Sequence, residues 1–532
     1  MHLQARQRGF ALLGLLALIS LGVIFAYVTG LNRSAADMAQ ARAQTTATAL
    51  AQAKEALIAY AVTYADDPSH TANPVPGFLP CPEMVATINN EGVETSGCGS
   101  RFVSQLGRLP WRTLGLGPVM DGSYECLWYA VSGIYKNSPS SAITTSTATS
   151  YMMNWDTNGQ FNVMASDGAT YLAGSAADNR AVAVVFAPGA ALGAQNRTPN
   201  ANAPACRGSY SAAAYLETTA GINNSVVSAT ANAIDTYIAG NSSSTFNDQL
   251  VYITRADIWN AVKKRSDFQN NLRALTRRAA ECVAMYGTEN NHGASDKRLP
   301  WASNVSLSDY VVDSTFRDTS GNLSGRLPYR VSVSAPGSGT NNSISSPYYL
   351  FAAWPGSDCS YSLSPVNEQV WYDHWKDHLF YAIANNYRPV SANKPTAACG
   401  TCLKIEGVGS YAAVVIFAGE KLSGLSPPQS RNTTAEKAVI TNYLEGRNAS
   451  NDPNAGGNSN YQAVGAIGTF NDILYAIDTN LRVQCYSTAS SAMVLQNSTP
   501  QTGIPASAPA PLSPPGAPNL PPGPVGPYAA CP

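Results

Sequence analysis

Phe10 to Leu31 form an unbroken run of 22 residues without a charge, most of them apolar. At about 1.5 Å rise per residue, a helix over this run reaches roughly 33 Å, enough to cross the hydrocarbon core of a bilayer. From Ser34 to Ala65 there is neither Pro nor Gly and Ala dominates, so the pattern predicts one helix that leaves the membrane and continues into water. Measured from Phe10 that rod is about 55 residues and roughly 80 Å long. Pro68 ends it. Further along, Ala181–Ala187 and Ala412–Ala418 are continuous apolar runs rich in β-branched residues, as buried strands are. Tyr329–Ser334 alternates, with Val331 and Val333 on one face, and predicts a half-buried strand. Phe161–Met164 follows Asn158-Gly159, a two-residue hairpin signal. A second helix is expected over about Asp257–Tyr286, with Thr254 as N-cap and Asp257 three residues on.

Several segments recur in the same order. Leu109-Pro110-Trp111 returns as Leu299-Pro300-Trp301, and Leu127-Trp128-Tyr129-Ala130 as Leu379-Phe380-Tyr381-Ala382. Ala183–Ala187 is matched by Val414–Ala418, Tyr215-Leu216-Glu217 by Tyr443-Leu444-Glu445, and Thr245-Phe246-Asn247-Asp248 by Thr469-Phe470-Asn471-Asp472. The collinearity predicts a tandem duplication of domain-sized units. The expected fold is therefore α+β: a long N-terminal membrane helix followed by two duplicated lobes, each a helix packed on a mainly antiparallel sheet. The corresponding boundaries are 1–9 for a leader, 10–66 for the helix, 67–265 and 266–498 for the lobes, and 499–532 for a tail. From Pro500 to Pro532 there are 12 prolines, and no charge follows Arg482. Such a composition builds no core and favours extended polyproline geometry.

Charged residues make up 13% of the 532, with 33 Lys plus Arg against 34 Asp plus Glu. There is no basic footprint for nucleic acid. With 45% hydrophobic residues and 27 Tyr the chain has the means to fold, and Ser, Thr and Asn fill its surface-type positions. Ten cysteines, all beyond the membrane run, fit export to an oxidising compartment. Proximity favours the pairs Cys81–Cys98 and Cys399–Cys402, and Cys126–Cys206 would close a loop within one lobe. Cys531 suggests a tail tied back, with Cys485 as one partner, or linked to another chain; a disordered tail is the simpler reading.

The start of the chain, Arg6-Gln-Arg-Gly9-Phe10-Ala-Leu-Leu-Gly14, is a short basic leader ending in Gly, then Phe, then an apolar helix. This resembles the type IV pilin and pseudopilin family, over about 57 residues. The resemblance implies cleavage by a prepilin peptidase between Gly9 and Phe10, and methylation of Phe10 as the new N-terminus. The family usually has Glu at the fifth mature position, where it pairs with the N-terminal amine of a neighbouring subunit; here that position is Gly14. Tip pseudopilins of type II secretion also lack this Glu and are large. A cleavable secretory signal, with Ser34-Ala35-Ala36 as its cut site, and a plain signal anchor are the competing readings. In both membrane readings Arg6 and Arg8 stay cytoplasmic and the bulk of the chain is periplasmic or on a surface filament.

Asp373-His374-Trp375-Lys376-Asp377-His378 is the best candidate for chemistry. On a helix, His374 and His378 at i and i+4 share a face and can share a metal, with Asp377 or Asp373 completing the shell. No Glu follows His374, so the zinc-protease pattern is absent. The simpler reading is a solvated helix face with its tryptophans turned inward. Cys399-Gly-Thr-Cys402 has redox-motif spacing but reads as a structural disulfide, since no strand-then-helix framework surrounds it. Asp318–Asn322 and Asp156–Gly159 look faintly like calcium loops and read as turns between strands. No nucleophile elbow, phosphate loop or pair of carboxylates stands at a recognisable spacing. Asn-Xaa-Ser/Thr sequences occur and mean little in a bacterial-type exported protein.

The expectation is a structural, non-catalytic protein without cofactor: a minor or tip pilin-like subunit that contacts surfaces or substrates. Its partners would be other pilin or pseudopilin subunits, the prepilin peptidase and the bacterial inner membrane, with no nucleic acid. The alternative is a membrane-tethered periplasmic enzyme or binding protein, metal-dependent through His374 and His378.

Overall fold

The structure, a computed structural model, describes residues 36–70, 74–85, 90–138, 152–193, 195–287, 297–331, 348–349, 368–389, 399, 401–450, 459–487 and 491–495. The expected leader with Gly9 and Phe10, the apolar run, Cys359, the Pro-rich tail and Cys531 lie outside them. Among the described residues no helix is long and apolar enough to cross a membrane.

The fold is α+β. Helix α1 covers 36–63 and a 3-10 turn, Tyr64–Asp66, follows it. Thr46, Ala49, Leu50, Ala53, Leu57, Ala61 and Tyr64 are its buried positions. Their three- and four-residue spacing is a single stripe, so α1 is held by one face against a sheet. Residues 36–45 are exposed all round.

That first sheet contains β1 (Gln105–Arg108), β2 (Trp128–Val131), β3 (Phe161–Met164), β4 (Tyr171–Ala173) and β5 (Ala181–Ala187). A small hairpin, β6 (Thr218–Thr219) and β7 (Ile222–Asn223), precedes β8 (Asp235–Ile238) and β9 (Gln249–Thr254). The order is β1-β2-β5-β3-β4, with β9 antiparallel on β5 and β8 parallel on β3. Every residue of β5 is buried, as a central strand covered on both faces requires. One face meets α1; the other meets the long connection 188–248, where Tyr215, Leu216 and Tyr237 pack on Trp128, Val184 and Phe186.

Between the sheets stand α2 (Arg255–Val262) and α3 (Ser266–Tyr286). Thr254 caps α2 and Asp257 completes a capping box, as the sequence predicts. The expected single helix to Tyr286 is two helices. Arg265 sits at the break, where it pairs with Asp66 at the end of α1 and with Asp267. α3 then buries Phe268, Leu272, Leu275, Ala279 and Val283 against the second sheet.

The second sheet repeats the construction. After β10 (Ser324–Arg326) and the short pair β11 (Arg330–Val331) and β12 (Tyr348–Tyr349) come α4 (Glu368–Trp375) and β13 (Leu379–Ile383). They are followed by β14 (Leu403–Ile405), β15 (Val408–Phe417), β16 (Asn460–Tyr461), β17 (Ile473–Asp478), β18 (Val483–Ser487) and β19 (Ala492–Leu495). The order is β10-β13-β15-β17-β18-β19, so β10-β13-β15-β17 matches β1-β2-β5-β9. Of the predicted strand Tyr329–Ser334, only Arg330–Val331 is a strand among the described residues.

The matching registers correct one expected equivalence. Arg108 pairs with Trp128 and Arg326 with Phe380, so Leu109-Pro110 corresponds to Leu327-Pro328. Leu299-Pro300 corresponds instead to Leu79-Pro80. The Leu79 N–H donates to Tyr135 O and the Leu299 N–H to Tyr387 O, both at 2.8 Å. Tyr129 Oη donates to Pro80 O at 3.2 Å and Tyr381 Oη to Pro300 O at 3.1 Å. A three-residue match cannot distinguish two Leu-Pro segments that both flank the same strand.

Asn158-Gly159 is not a hairpin turn. Asn158 reaches Arg255 and Asn432, and a Cβ on Gly159 would lie 2.2 Å from Ala181 O, so the glycine serves a close approach of two backbones. Disulfides join Cys81 to Cys98, Cys126 to Cys206 and Cys399 to Cys402, and Cys282 and Cys485 are also oxidised.

Candidate functional site

The loop 152–158, between β2 and β3, leaves the first sheet and inserts against the second. It meets the 3-10 turn Lys376–His378 that leads from α4 into β13. α4 ends at Trp375, so His374 and His378 do not share a helix face. Nor is the segment solvated. Asp373, His374, Lys376, Asp377 and His378 are all buried, in a core that includes Trp155, Trp375, Phe268 and Phe417. The expected solvated face is corrected because a second sheet lies over it, which a single helix pattern cannot reveal.

Each histidine is committed. His374 Nδ1 accepts the Met153 N–H at 2.9 Å, and burial, with Lys376 and Arg101 near, pushes its pKa down to about 3. His378 Nε2 is 2.9 Å from Trp155 Nε1 and 3.1 Å from Arg431 Nη1. The same Nε2 lies 3.2 Å from Asp156 Oδ2, and Nδ1 is 2.8 Å from Asp377 Oδ1, so the ring stands between two buried carboxylates. Arg431 Nη1 also lies 3.1 Å from Asp156 Oδ2. Burial alone would raise the Asp156 carboxyl, but Arg431, His378 and Arg255 together outweigh it and hold the group well below the usual carboxylate range. Asp377 is likewise buried, and His378 and Lys437 hold it low. Lys376 pairs with Asp313. Among the described residues no group of three or more His, Cys, Asp or Glu is placed to hold a metal ion.

The two faint calcium-loop segments are buried at their first residue as well. Asp156 belongs to the network above, and Asp318 is 2% exposed with its backbone paired to Ser303 and Arg330.

A second arrangement occurs twice. Gln195 Nε2 donates to Glu217 Oε1 at 2.7 Å, and Gln429 Nε2 to Glu445 Oε1 at 2.9 Å. The Glu217 N–H donates to Asp248 Oδ2 at 2.9 Å, the Glu445 N–H to Asp472 Oδ2 at 3.2 Å. In turn the Asn247 N–H donates to Glu217 and the Asn471 N–H to Glu445. Burial, then the neighbouring glutamate, raises both aspartates, Asp248 to about 8. A raised aspartate and the glutamate beside it, each accepting a backbone N–H, therefore tie the long connection to the start of the strand that follows in each half. All four acids lie inside the repeated segments Tyr-Leu-Glu and Thr-Phe-Asn-Asp. Sequence reasoning found those repeats but no carboxylate pair, because Glu217 and Asp248 are far apart in the chain.

The arginines were also missed. Arg108 stacks near Trp128, Tyr210 and Tyr215 at 5.0–5.5 Å; Arg326 does so with Tyr310, Phe380 and Tyr443 at 4.5–4.9 Å. The repeated Gly-Arg-Leu-Pro, 107–110 and 325–328, was the available signal. These networks brace the fold: the buried acids and histidines above are met by partners inside it, and Arg108 and Arg326 close on backbone carbonyls and aromatic rings. No family model, curated protein or solved structure matches this chain.

Proposed function

We infer that this chain is a membrane-anchored, non-catalytic subunit of a type IV pilus or type II secretion pseudopilus, at the tip or in a minor position. The observation that carries the reading is continuity between the pilin-like N-terminal sequence and α1. The uncharged run leads directly into a helix whose residues 36–45 are exposed all round and whose later turns are seated in a sheet. A helix with a free end of that kind suits a head held away from a membrane and able to pack on other helices. Gly14 removes the charge that pairs with a neighbour's amine, which favours few copies at one end over repetition along a shaft. The twice-built sheet, with its matching networks, supports a tandem duplication as the source of the unusually large head. Oxidised cysteines throughout the described residues fit the periplasm or a surface filament.

Mass analysis of the mature N-terminus tests the reading. A chain beginning at methylated Phe10 is expected, and replacement of Gly9 by a bulky residue should leave precursor in the membrane fraction. A mature start at Asp37 or an uncut Met1 would sink it. Immunogold labelling should mark filament ends; dense labelling along the shaft would refute the tip position.

A further inference from the structure

Ten Asn-Xaa-Ser/Thr sequences occur in the chain, and seven lie wholly among the described residues. Folding makes them unequal. Asn448 is 1% exposed, with its Nδ2 donated to Gln462 O and Asp472. Asn432 is engaged between the two sheets by Asn158 and Lys421. Asn322 donates its amide to Asn304 Oδ1, which occupies both sites. At Asn241 the hydroxyl of Ser243 faces Thr245 instead of the asparagine.

Asn196-Arg197-Thr198 and Asn223-Asn224-Ser225 differ from all of these. Asn196 and Asn223 are exposed. Thr198 Oγ1 donates to Asn196 Oδ1 at 3.0 Å, and Ser225 Oγ donates to Asn223 Oδ1 at 2.8 Å. Among the described residues neither Nδ2 is hydrogen-bonded. The middle residues explain why both sites point outward. Arg197 is anchored inward on Gly189 O and Ala214 O, and Asn224 is fully buried on Ile238 O and Asp248. With the centre of each triplet held inside, the flanking asparagine and hydroxyl are left outside together. In the second half the same framework positions are Arg431 and Asn448, and the residues before them are Ser430 and Arg447. The framework is shared, but the outward asparagines belong to the first half alone.

We propose that Asn196 and Asn223, presented outward by the inward-anchored Arg197 and the buried Asn224, are acceptor sites for an N-linked glycan. The donor is a glycosyl phosphate or pyrophosphate. The Asn Nδ2–C1 bond forms as the C1–O bond to the donor phosphate breaks; the electron pair leaves with the phosphate oxygen, which takes up the amide proton. An amide nitrogen is a poor nucleophile because its lone pair is conjugated with the carbonyl. A hydroxyl that donates to Oδ1 stabilises the imidate character developing as the N–H proton departs, and here each site already holds that bond. The proposal rests on the exported reading above, since the sites must meet the donor on the envelope side where the cysteines oxidise. Both sites lie on the connection 188–248 that covers the outer face of the first sheet, so the glycans would coat that face.

The test is full-length chain from the envelope of its native host, read by non-reducing intact mass and by peptide mass across both sites. Added sugar mass is expected on the peptides holding Asn196 and Asn223. Thr198→Val and Ser225→Ala should each remove one addition; Thr198→Ser and Ser225→Thr should retain it; Asn241→Gln should change nothing. An oligosaccharide added as one block identifies a lipid-linked pyrophosphate donor, and a single sugar a nucleotide-linked one. An oxidised, envelope-located chain with both asparagines bare overturns the acceptor assignment alone. Sugar on Asn241 or Asn304 at equal occupancy, or on hydroxyls only, also overturns it. A reduced, bare chain retained in the cytoplasm overturns the export reading and this proposal together.

Discussion

Arg431→Met is the sharpest perturbation, because the chain supplies its own control in Arg197→Met. Both arginines are held alike. Arg197 donates to Gly189 O, Ala214 O and Gln195 Oε1 and lies 4.6 Å from the Tyr215 ring centre. Arg431 donates to Gly419 O, Asn442 O and Gln429 Oε1 and lies 4.3 Å from Tyr443. They differ in the ion partner. Glu125 beside Arg197 has a side chain 24% exposed, whereas Asp156 beside Arg431 has one 2% exposed. Loss of Arg197 leaves a carboxylate that water can reach, worth about 0–1 kcal/mol for the ion pair. Loss of Arg431 strands a buried carboxylate, which costs about 3–5 kcal/mol. The shared carbonyl bonds and stacking cancel in the comparison, leaving Arg431→Met worse by roughly 2–5 kcal/mol. At about 2–4 °C per kcal/mol for a unit of this size, that is a midpoint lower by roughly 4–20 °C. Thermal unfolding of the oxidised protein reads it, with hydrogen exchange in β13 and β15 against β2 and β5 to assign the loss to one half. Asp156→Asn in the Arg431→Met background should recover part of the deficit by removing the stranded charge. Equal losses from Arg197→Met and Arg431→Met would show that burial of the ion pair is not what matters.

The carboxyl pairs predict loss of stability as pH rises. Asp248 and Asp472 are raised in the folded state, so their contribution is fully present below the unfolded value of 3.8 and is lost as pH climbs from there through about 8 for Asp248; melting midpoints should drop over that range, and the double variant Asp248→Asn/Asp472→Asn should flatten the slope. His374 works in the opposite direction. Its folded pKa is lowered to about 3, so stability present above the unfolded value of 6.5 is lost as pH falls from there towards 3; His374→Asn, which still offers an acceptor to Met153, should lessen that slope, and an unchanged slope would contradict the assignment. Gly325→Ala places a Cβ 1.9 Å from Ser303 O, a backbone atom that must move. A loss of about 1–3 kcal/mol is expected in urea unfolding, and a neutral result would mean that β10 shifts freely.

Much of the architecture was legible because its signals are local. The stripe Ala49, Leu50, Ala53, Leu57 and Ala61 marks the seated face of α1, and Thr254 with Asp257 marks the start of α2. Neighbouring residues alone determine helical periodicity and capping, so the chain states them outright. The all-apolar β5 and the buried end of β15 were readable for the same reason, since covering both faces of a strand leaves no polar position in it. Repeated Tyr-Leu-Glu and Thr-Phe-Asn-Asp segments announced that one construction is used twice.

Closure in three dimensions decided the rest. No periodicity relates Asp156 to Arg431, 275 residues apart, yet their pairing turns an apparently solvated His-Asp segment into the interior between two sheets. Glu217 and Asp248 meet only because the long connection folds back on itself. Asn158-Gly159 carries the composition of a hairpin but is used where two backbones touch. The same holds for Asn196 and Asn448, each followed two residues on by a hydroxyl: one is turned to solvent, the other locked beside Asp472. Local sequence sets what a residue is able to bond. The packing of distant segments sets which partner reaches it first and whether water is excluded, and on that exclusion the charge pairing, the raised aspartates and the exposed asparagines all depend.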